Sequence, residues 1–473
     1  MRELETIIGL EVHAQANTKT KLFCSCDNDA FGKAPNTTVC PVCMGHPGAL
    51  PVPNKEALKK AQKASVALKA KISSEHHLDR KNYFYPDLPT GFQISQYDFP
   101  LAKNGVVEYG AGKKCIIRRL HIENDAGKLS HAHGRSYCDF NRAGTPLMEI
   151  VTEPDLRSST EAVSFAKELQ RILISVDASE ADMYKGMMRF DASISLRPKG
   201  EEKLYPRSEI KNLNSFKALE RALEFEEKRL TELWEKNEVP TKEVTVHWDD
   251  ERGVGVIMRD KESAADYRYF PEPDIPPFET DAATLKELKE NVTLLPSEKR
   301  AKYLAEGFSE AEALHLTEDT ALERFYEAVF AHTKDHKRTR SVVLNQLTGF
   351  LRTNEKTLQQ GPSAESVITL LKSIDDGTIN ANTGKQVLEE MVETGKSAKE
   401  VIAEKGLGSS SGAIDLETLV KQAMSENPKA MEDLRAGKMK AGGAIVGAVM
   451  KKAAGKADPA KVQEVLQRLL QSA

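Results

Sequence analysis

The sequence predicts an α+β domain over residues 1–293, an all-α region over 294–405, and a small helical tail within 406–473 behind a flexible joint. Three observations carry this expectation. Short segments alternating apolar and polar side chains recur through the first part, separated by Pro, Gly and Asn turns. A few longer stretches among them repeat their apolar residues at helical spacing. From Thr284 onward the patterns are nearly all helical.

Taken in order, Ile8, Leu10 and Val12 alternate with Gly9, Glu11 and His13, a strand with one apolar and one polar face. Asn54 is a good N-cap for a helix expected to run through KEALKKAQKASVALKAKI. Ser159 or Thr160 is placed to cap a second, EAVSFAKELQRILISV, and FKALERALEFEEKRLTELWEK forms a third. EVTVHWDD and VGVIMRD return to strand alternation, so this part is α+β rather than all-helical. PEPDIPPFE, residues 271–279, is a hard break, because its prolines fit neither a helix interior nor a central strand. GLGSSSG at 406–412 reads as the joint, and beyond it three helices are expected, separated by NPKA and GKADPA.

A chain of 473 residues exceeds one hydrophobic core, which is why several domains are expected. Its 40% apolar and 29% charged residues are ordinary for a soluble globular protein, and a net charge of -4 does not advertise a nucleic-acid partner for the chain as a whole. The start has no signal-peptide pattern, since Glu11 interrupts its only apolar stretch, and no apolar run approaches the roughly 20 residues of a membrane span. A cytoplasmic enzyme or enzyme subunit with no membrane partner is the working class.

Six cysteines do not make a disulfide scaffold in a chain of this length, but four of them cluster. Cys24 and Cys26 form a CxC pair, Cys40 and Cys43 a CxxC pair, and four thiolates at such spacing can meet on a tetrahedral structural zinc. A redox pair at Cys40 and Cys43, or free thiols, are the competing readings. His46 reads as a loop residue, and Cys115 and Cys138 stand apart as small buried side chains.

The sharper signal is a set of strand candidates carrying acids on one face. Glu11, His13 and Gln15 share a face, as do His121, Glu123 and Asp125 in RLHIENDAGK. Glu149 interrupts the apolar PLMEIV, where a lone carboxylate is costly to bury unless paired or bound to metal. Arg189 and Asp191 alternate with Met188 and Phe190, and SEIKN puts Glu209 and Lys211 together. Oxygen-rich sets of this kind suit Mg²⁺ with substrate phosphates, and phosphoryl transfer needs cations, for which Lys81, Lys128, Arg142 and Arg189 are candidates. The blander alternative is a group of solvated faces and structural ion pairs. No GxxxxGK[ST] and no GxGxxG is present, so a P-loop does not hold any nucleotide here.

Long stretches of the chain resemble the B subunit of the tRNA-dependent amidotransferase, the GatB family. They include IGLEVHAQANTKTKLFC, CPVCMGHPGALPVPNKEA, DRKNYFYPDLPTGFQISQYDFPLA, DFNRAGTPLMEIVTEPDLRS, EIKNLNSF and DYRYFPEPDIPP, and the tail resembles the family's helical, YqeY-like module. The resemblance implies a catalytic cradle domain of the glutamine synthetase and guanido kinase kind. It implies ATP- and Mg²⁺-dependent phosphorylation of the side-chain carboxylate of Glu misacylated onto tRNA(Gln), or of Asp misacylated onto tRNA(Asn). It also implies ammonia from an amidase subunit, A, and a small linking subunit, C, in a heterotrimer. Carried over, the family's EVH motif matches Glu11 and His13, its MEI glutamate matches Glu149, and its remaining acids match Glu123, Asp125, Asp191 and Glu209. Magnesium is then expected on Glu11, His13, Glu123, Glu149 and Asp125. The family's usual HLEEDAGK reads HIENDAGK here, so Asn124 replaces an acid, and MYKGMMRFDAS departs from EGSLRCDAN. A non-catalytic tRNA-binding scaffold and a free-standing ammonia ligase are the alternatives, although the chain offers no glutamine-hydrolysing Ser-Ser-Lys set.

The tail adds a charge argument. Between Arg435 and Arg468 stand eight Lys or Arg residues against two acids, Asp458 and Glu464. Lys451, Lys452 and Lys456 follow the small-residue stretch GGAIVGAVM. Such a surface suits contact with a tRNA backbone by shape and charge.

Overall fold

The computed structural model describes residues 3–110, 112–260, 264–292, 294–407, 416–435, 441–452 and 459–471. Most of the expected joint, 408–412, and the basic residues Lys438, Lys440 and Lys456 lie outside the described residues. The chain divides into two compact units, Met1–Lys302 and Tyr303–Ala473.

The first unit is built on a nine-stranded sheet. Its strands are β1 (Leu4–Gln15), β2 (Lys71–Ile72), β3 (Ala102–Tyr109), β4 (Lys113–Asn124), β5 (Pro146–Thr152), β6 (Met188–Pro198), β7 (Ser208–Leu213), β8 (Val244–Asp249) and β9 (Val254–Asp260). They lie in the order β9-β8-β7-β6-β1-β5-β4-β3-β2, so the N-terminal strand is central. Every neighbouring pair is antiparallel except β7 and β8, which run parallel. The alternation seen in β1 has its expected consequence: Ile8, Leu10, Val12 and Ala14 enter the main apolar cluster, leaving Glu11 and His13 on the other face.

Three helices cover the apolar face: α1 (Lys55–Ala67), α2 (Ser159–Ser175) and α3 (Phe216–Glu235). Ala57, Ala61 and Ala64 of α1, Phe165 and Leu169 of α2, and Leu219 and Leu223 of α3 pack with the sheet in one core. Fully burying a side chain of Leu or Phe size contributes about 1.5–3 kcal/mol. Asn54 caps α1 as expected, accepting from the amides of Glu56 and Ala57. The helix ends sooner than the sequence suggests, because Lys69 turns left-handed (φ 54°) and Ile72 is drawn into the edge strand β2 against Ala102. Ser158, one residue before the expected cap, accepts from Glu161 and starts α2. The Pro-rich break holds no helix; its ends form two-residue strands, Phe270–Pro271 and Phe278–Glu279, paired with Asp79–Asn82 and Glu75–His76.

The second unit is helical throughout the described residues and holds two separate apolar clusters. One spans Tyr303 to Ile402, the other Val420 to Leu466. Four helices are described at its end, Leu416–Glu426, Pro428–Arg435, Gly442–Lys452 and Pro459–Gln471, where three were expected. Pro428 opens a helix of its own as its first residue, a position where the missing N–H costs nothing. No helix among the described residues is long and apolar enough to cross a membrane.

Candidate active site and metal centre

Strand register assembles the polar face. His13 of β1 stands opposite Arg189 of β6 on one side and Glu149 of β5 on the other, and Glu149 stands opposite His121 of β4. Four strands thus present Arg189, His13, Glu149 and His121 in one row. The next row pairs Glu11 with Asp191, and the one beyond it sets Glu209 opposite Ser193.

Glu149 is the centre of this arrangement. One of its carboxylate oxygens, Oε2, lies 3.5 Å from His13 Nε2 and 3.3 Å from His121 Nε2. Potential ligand atoms of Glu11, His13 and Glu149 all lie within 4.8 Å of one another, and so do those of His121, Glu123 and Glu149. The Nδ1 atoms of His13 and His121 are buried without a hydrogen-bond partner, while their Nε2 atoms face the carboxylates. Ser95 Oγ donates to Glu123 Oε2 (3.0 Å) and helps hold that carboxylate in place.

So many acids in so small a volume distort one another's ionisation. Repulsion from Glu149, with burial second, raises Glu11 from the ordinary carboxylate range to about 7. Burial opposes ionisation of Glu149, but the charges of His121 and then His13 outweigh it and hold Glu149 well below that range. Burial likewise opposes a charge on His121, yet Glu149 and Glu123 push it up to about 9. A divalent cation held by these carboxylates would relieve the repulsion that loads Glu11.

Cations ring the acids. Arg189 donates both terminal nitrogens to Asp125 (3.0 and 3.1 Å), and Arg142 Nε lies 3.3 Å from the same carboxylate. Asp125, expected among the metal ligands, is therefore engaged by two guanidiniums and is absent from the groups of converging donors. Arg142 also donates to the carbonyls of Ala126 and Gly127. Lys81 lies over the Tyr267 ring (4.9 Å), and its ammonium is stabilised against burial by Glu123 first. Lys128 stands apart, exposed on the hairpin formed by Lys128–Ala132 and Arg135–Asp139. Asp191 and Glu209 share Lys211, whose Nζ lies 2.6 and 2.9 Å from them. Asn124 points its amide elsewhere: its Oδ1 accepts from the backbone of Ile94 (2.7 Å).

Two residues of this neighbourhood are missing from the set expected from the sequence. His121 shares a strand face with Glu123 but is not among the expected ligands, and Arg119, two residues earlier on that face, reaches within 3.7 Å of Glu149. The two-residue period that groups His121 with Glu123 extends to Arg119, so the signal is present.

The four clustered cysteines form a second centre. Their sulfurs all lie within 4.8 Å of one another, and none is in a disulfide. The Sγ atoms of Cys40 and Cys43 are 3.9 Å apart. Tetrahedral bonds of about 2.3 Å to one ion put sulfurs about 3.8 Å apart, so this set can chelate a metal as it stands. The amides of Met44 and Gly45 bond back to the carbonyls of Cys40 and Val42, forming the tight turn that aims both CxxC sulfurs inward.

The profile of the GatB/GatE catalytic domain matches residues 6–286, and that of the GatB domain matches residues 324–470. The chain belongs to the GatB family. Among family members, the B subunit of the aspartyl/glutamyl-tRNA(Asn/Gln) amidotransferase of Persephonella marina is 44% identical, with 99% of this chain and all of that protein aligned. The B subunits of the same name from Caldicellulosiruptor bescii and Thermotoga maritima are each 43% identical over 98–99% of both chains. The mixed α/β first part, the all-α region and the small helical end are the architecture expected of the family.

Proposed function

We propose that this GatB chain is the ATP-dependent ligase subunit of a tRNA-dependent amidotransferase. It transfers the terminal phosphoryl group of ATP to the side-chain carboxylate of Glu on tRNA(Gln) or Asp on tRNA(Asn). A carboxylate oxygen bonds to phosphorus as the bridging bond to ADP breaks. Ammonia from an amidase subunit, held with this chain by a small linking subunit, then attacks the acyl carbon, and phosphate leaves. The observation that carries the reading is the placement of Glu149 between His13 and His121, in one row across four strands, with cations on both sides.

Magnesium is assigned to two overlapping donor groups, Glu11, His13 and Glu149 on one side and His121, Glu123 and Glu149 on the other, where it would neutralise charge on phosphate oxygens. Arg189, fixed by Asp125, offers its guanidinium beside His13 to an anionic group. Lys211, between Asp191 and Glu209, and Lys81 supply further positive charge. A cavity of about 180 Å³ opens beside Glu11, Asp191 and Glu209, with Gly9, Arg118 and Tyr205 in its lining. The four cysteines are assigned to a structural zinc.

Residues 406–473, whose described helices from Leu416 onward hold an apolar cluster separate from that of Tyr303 to Ile402, are assigned to tRNA contact. Lys451 and Lys461 are exposed there, while Lys452 and Arg468 pair with Glu426 and Glu417. A cytoplasmic location is assigned on the same reading, since bulk aminoacyl-tRNA is made and used there.

Glu149→Gln tests the central assignment. In the assembled complex it should abolish tRNA-dependent ATP cleavage and amide formation on misacylated tRNA, while glutamine hydrolysis continues on the partner. An unchanged rate of ATP cleavage overturns it. Supplying both misacylated tRNAs to the wild-type complex determines which is the substrate.

A further inference from the structure

Lys21 has no exposed surface at all and is among the largest fully buried side chains of the protein. Its ammonium has two close polar partners, Sγ of Cys43 at 3.7 Å and the carbonyl of Phe140 at 3.4 Å. Among the described residues no carboxylate comes within ion-pair distance of it. An ammonium sealed from water without a counter-charge is costly, so the site must supply negative charge from another source.

The four-cysteine centre is that source. Four thiolates around one divalent ion carry a net charge of about -2, a surplus that a low-dielectric surrounding penalises. Lys21 is tied into the same loop by its backbone, whose N–H donates to the carbonyl of Cys26 (3.0 Å). Gly144 packs against the stems of both side chains. Its φ of +89° disfavours any other residue, and a Cβ there would stand 3.3 Å from Cys43 Cβ and 3.4 Å from Lys21 Cδ.

We propose that Lys21 is the counter-charge of the four-cysteine metal centre, its ammonium donating to the Cys43 thiolate so that the centre retains its zinc as a tetrathiolate. Lys21 is thus a positioning and charge-balancing residue and not a metal ligand. Hydrogen bonds to ligating groups from just outside the coordination sphere commonly govern metal retention by 10–100-fold. The inference rests on the assignment of zinc to these cysteines, and the two can fail separately.

The test measures zinc per chain and the rate of zinc transfer to the chromophoric chelator pyridylazoresorcinol, using the full chain purified with its partner subunits. Lys21→Met keeps the length and bulk of the side chain and removes its charge. It should release zinc roughly 10–100-fold faster than wild type. The double variant Lys21→Met with Cys26→His replaces one thiolate by a neutral ligand at a partly exposed corner and lowers the surplus charge without Lys21. It should return zinc release toward the wild-type rate, and should recover folded, zinc-loaded protein if the single variant does not fold. Wild type with zinc and Lys21→Met with the same slow release overturns the role of Lys21 alone. Failure of the double variant to improve on the single one also overturns it. Wild type purified without zinc removes the zinc assignment and this inference together.

Discussion

Asp125 is the residue whose replacement separates two accounts of the site. The resemblance places it on the metal, whereas the structure places it under two guanidiniums. Its side chain is nearly fully buried and accepts two hydrogen bonds from Arg189 at 3.0 and 3.1 Å, another from the amide of Ala126 at 2.9 Å, and lies 3.3 Å from Arg142 Nε. Asp125→Asn keeps the shape and one acceptor oxygen but removes the charge and turns a donor toward the guanidinium. A hydrogen bond to a charged group is worth about 1.5–3 kcal/mol, and partial exposure of Arg189 screens some of this, so the expected loss of stability is about 2 kcal/mol. Loss of the anchor lets Arg189 leave the row it forms with His13, and displacement of a positioning group by about 1 Å can cost about 100-fold in rate. Tested in the assembled complex, Asp125→Asn should lower kcat for tRNA-dependent ATP cleavage by about 10–100-fold. The Mg²⁺ concentration at half-maximal rate should stay within about twofold of wild type, since the ligand set is intact. If high Mg²⁺ restores the rate and the half-saturating concentration has risen tenfold or more, Asp125 is a metal ligand and this reasoning is wrong. The pH dependence has a definite sign. Burial alone would raise Asp125, but Arg189 and then Arg142 hold it below its ordinary value. Its contribution is therefore complete above about pH 4, the unfolded value, and is lost as the pH falls through the lower folded value.

Asn124→Glu should leave the Mg²⁺ dependence unchanged, because the Asn124 amide oxygen is committed to the Ile94 backbone; a shift in half-saturating Mg²⁺ would place this position in the ligand set. His76 is fully buried against Phe278, and burial pulls its pKa down to about 4. The unfolded chain therefore binds more protons between pH 6.5 and 4, stability falls as pH drops through that window, and the loss between pH 6.5 and 5 is about 1.6 kcal/mol. Urea midpoints should show His76→Leu less acid-sensitive than wild type, and an equal pH slope counts against it. Deleting residues 413–473 should weaken tRNA binding and flatten its dependence on salt, and equal affinity of both forms across a salt series refutes the tail assignment.

Much of the local structure is legible in the sequence. Alternation in Ile8–Leu10–Val12 identifies the strand that becomes the centre of the sheet, Asn54 marks a helix start, and the spacing of Cys24, Cys26, Cys40 and Cys43 points to a shared ion. These signals are local, set by backbone periodicity, capping and short loops. Where the site departs from expectation, the deciding contact comes from far along the chain. Asp125 follows the last residue of β4, so the two-residue period that groups it with His121 and Glu123 stops before reaching it, and its partner Arg189 is brought up by β6. The row of Arg189, His13, Glu149 and His121 joins four strands whose order no local pattern encodes. Lys21 has the composition of a surface residue, and its burial beside Cys43 depends on a loop closed over it by Gly144 and Phe140. Composition and periodicity determined which residues had chemistry to offer and which faces they shared. Tertiary structure alone decided which charges meet, because pairing across a sheet depends on register between segments and not on either segment by itself.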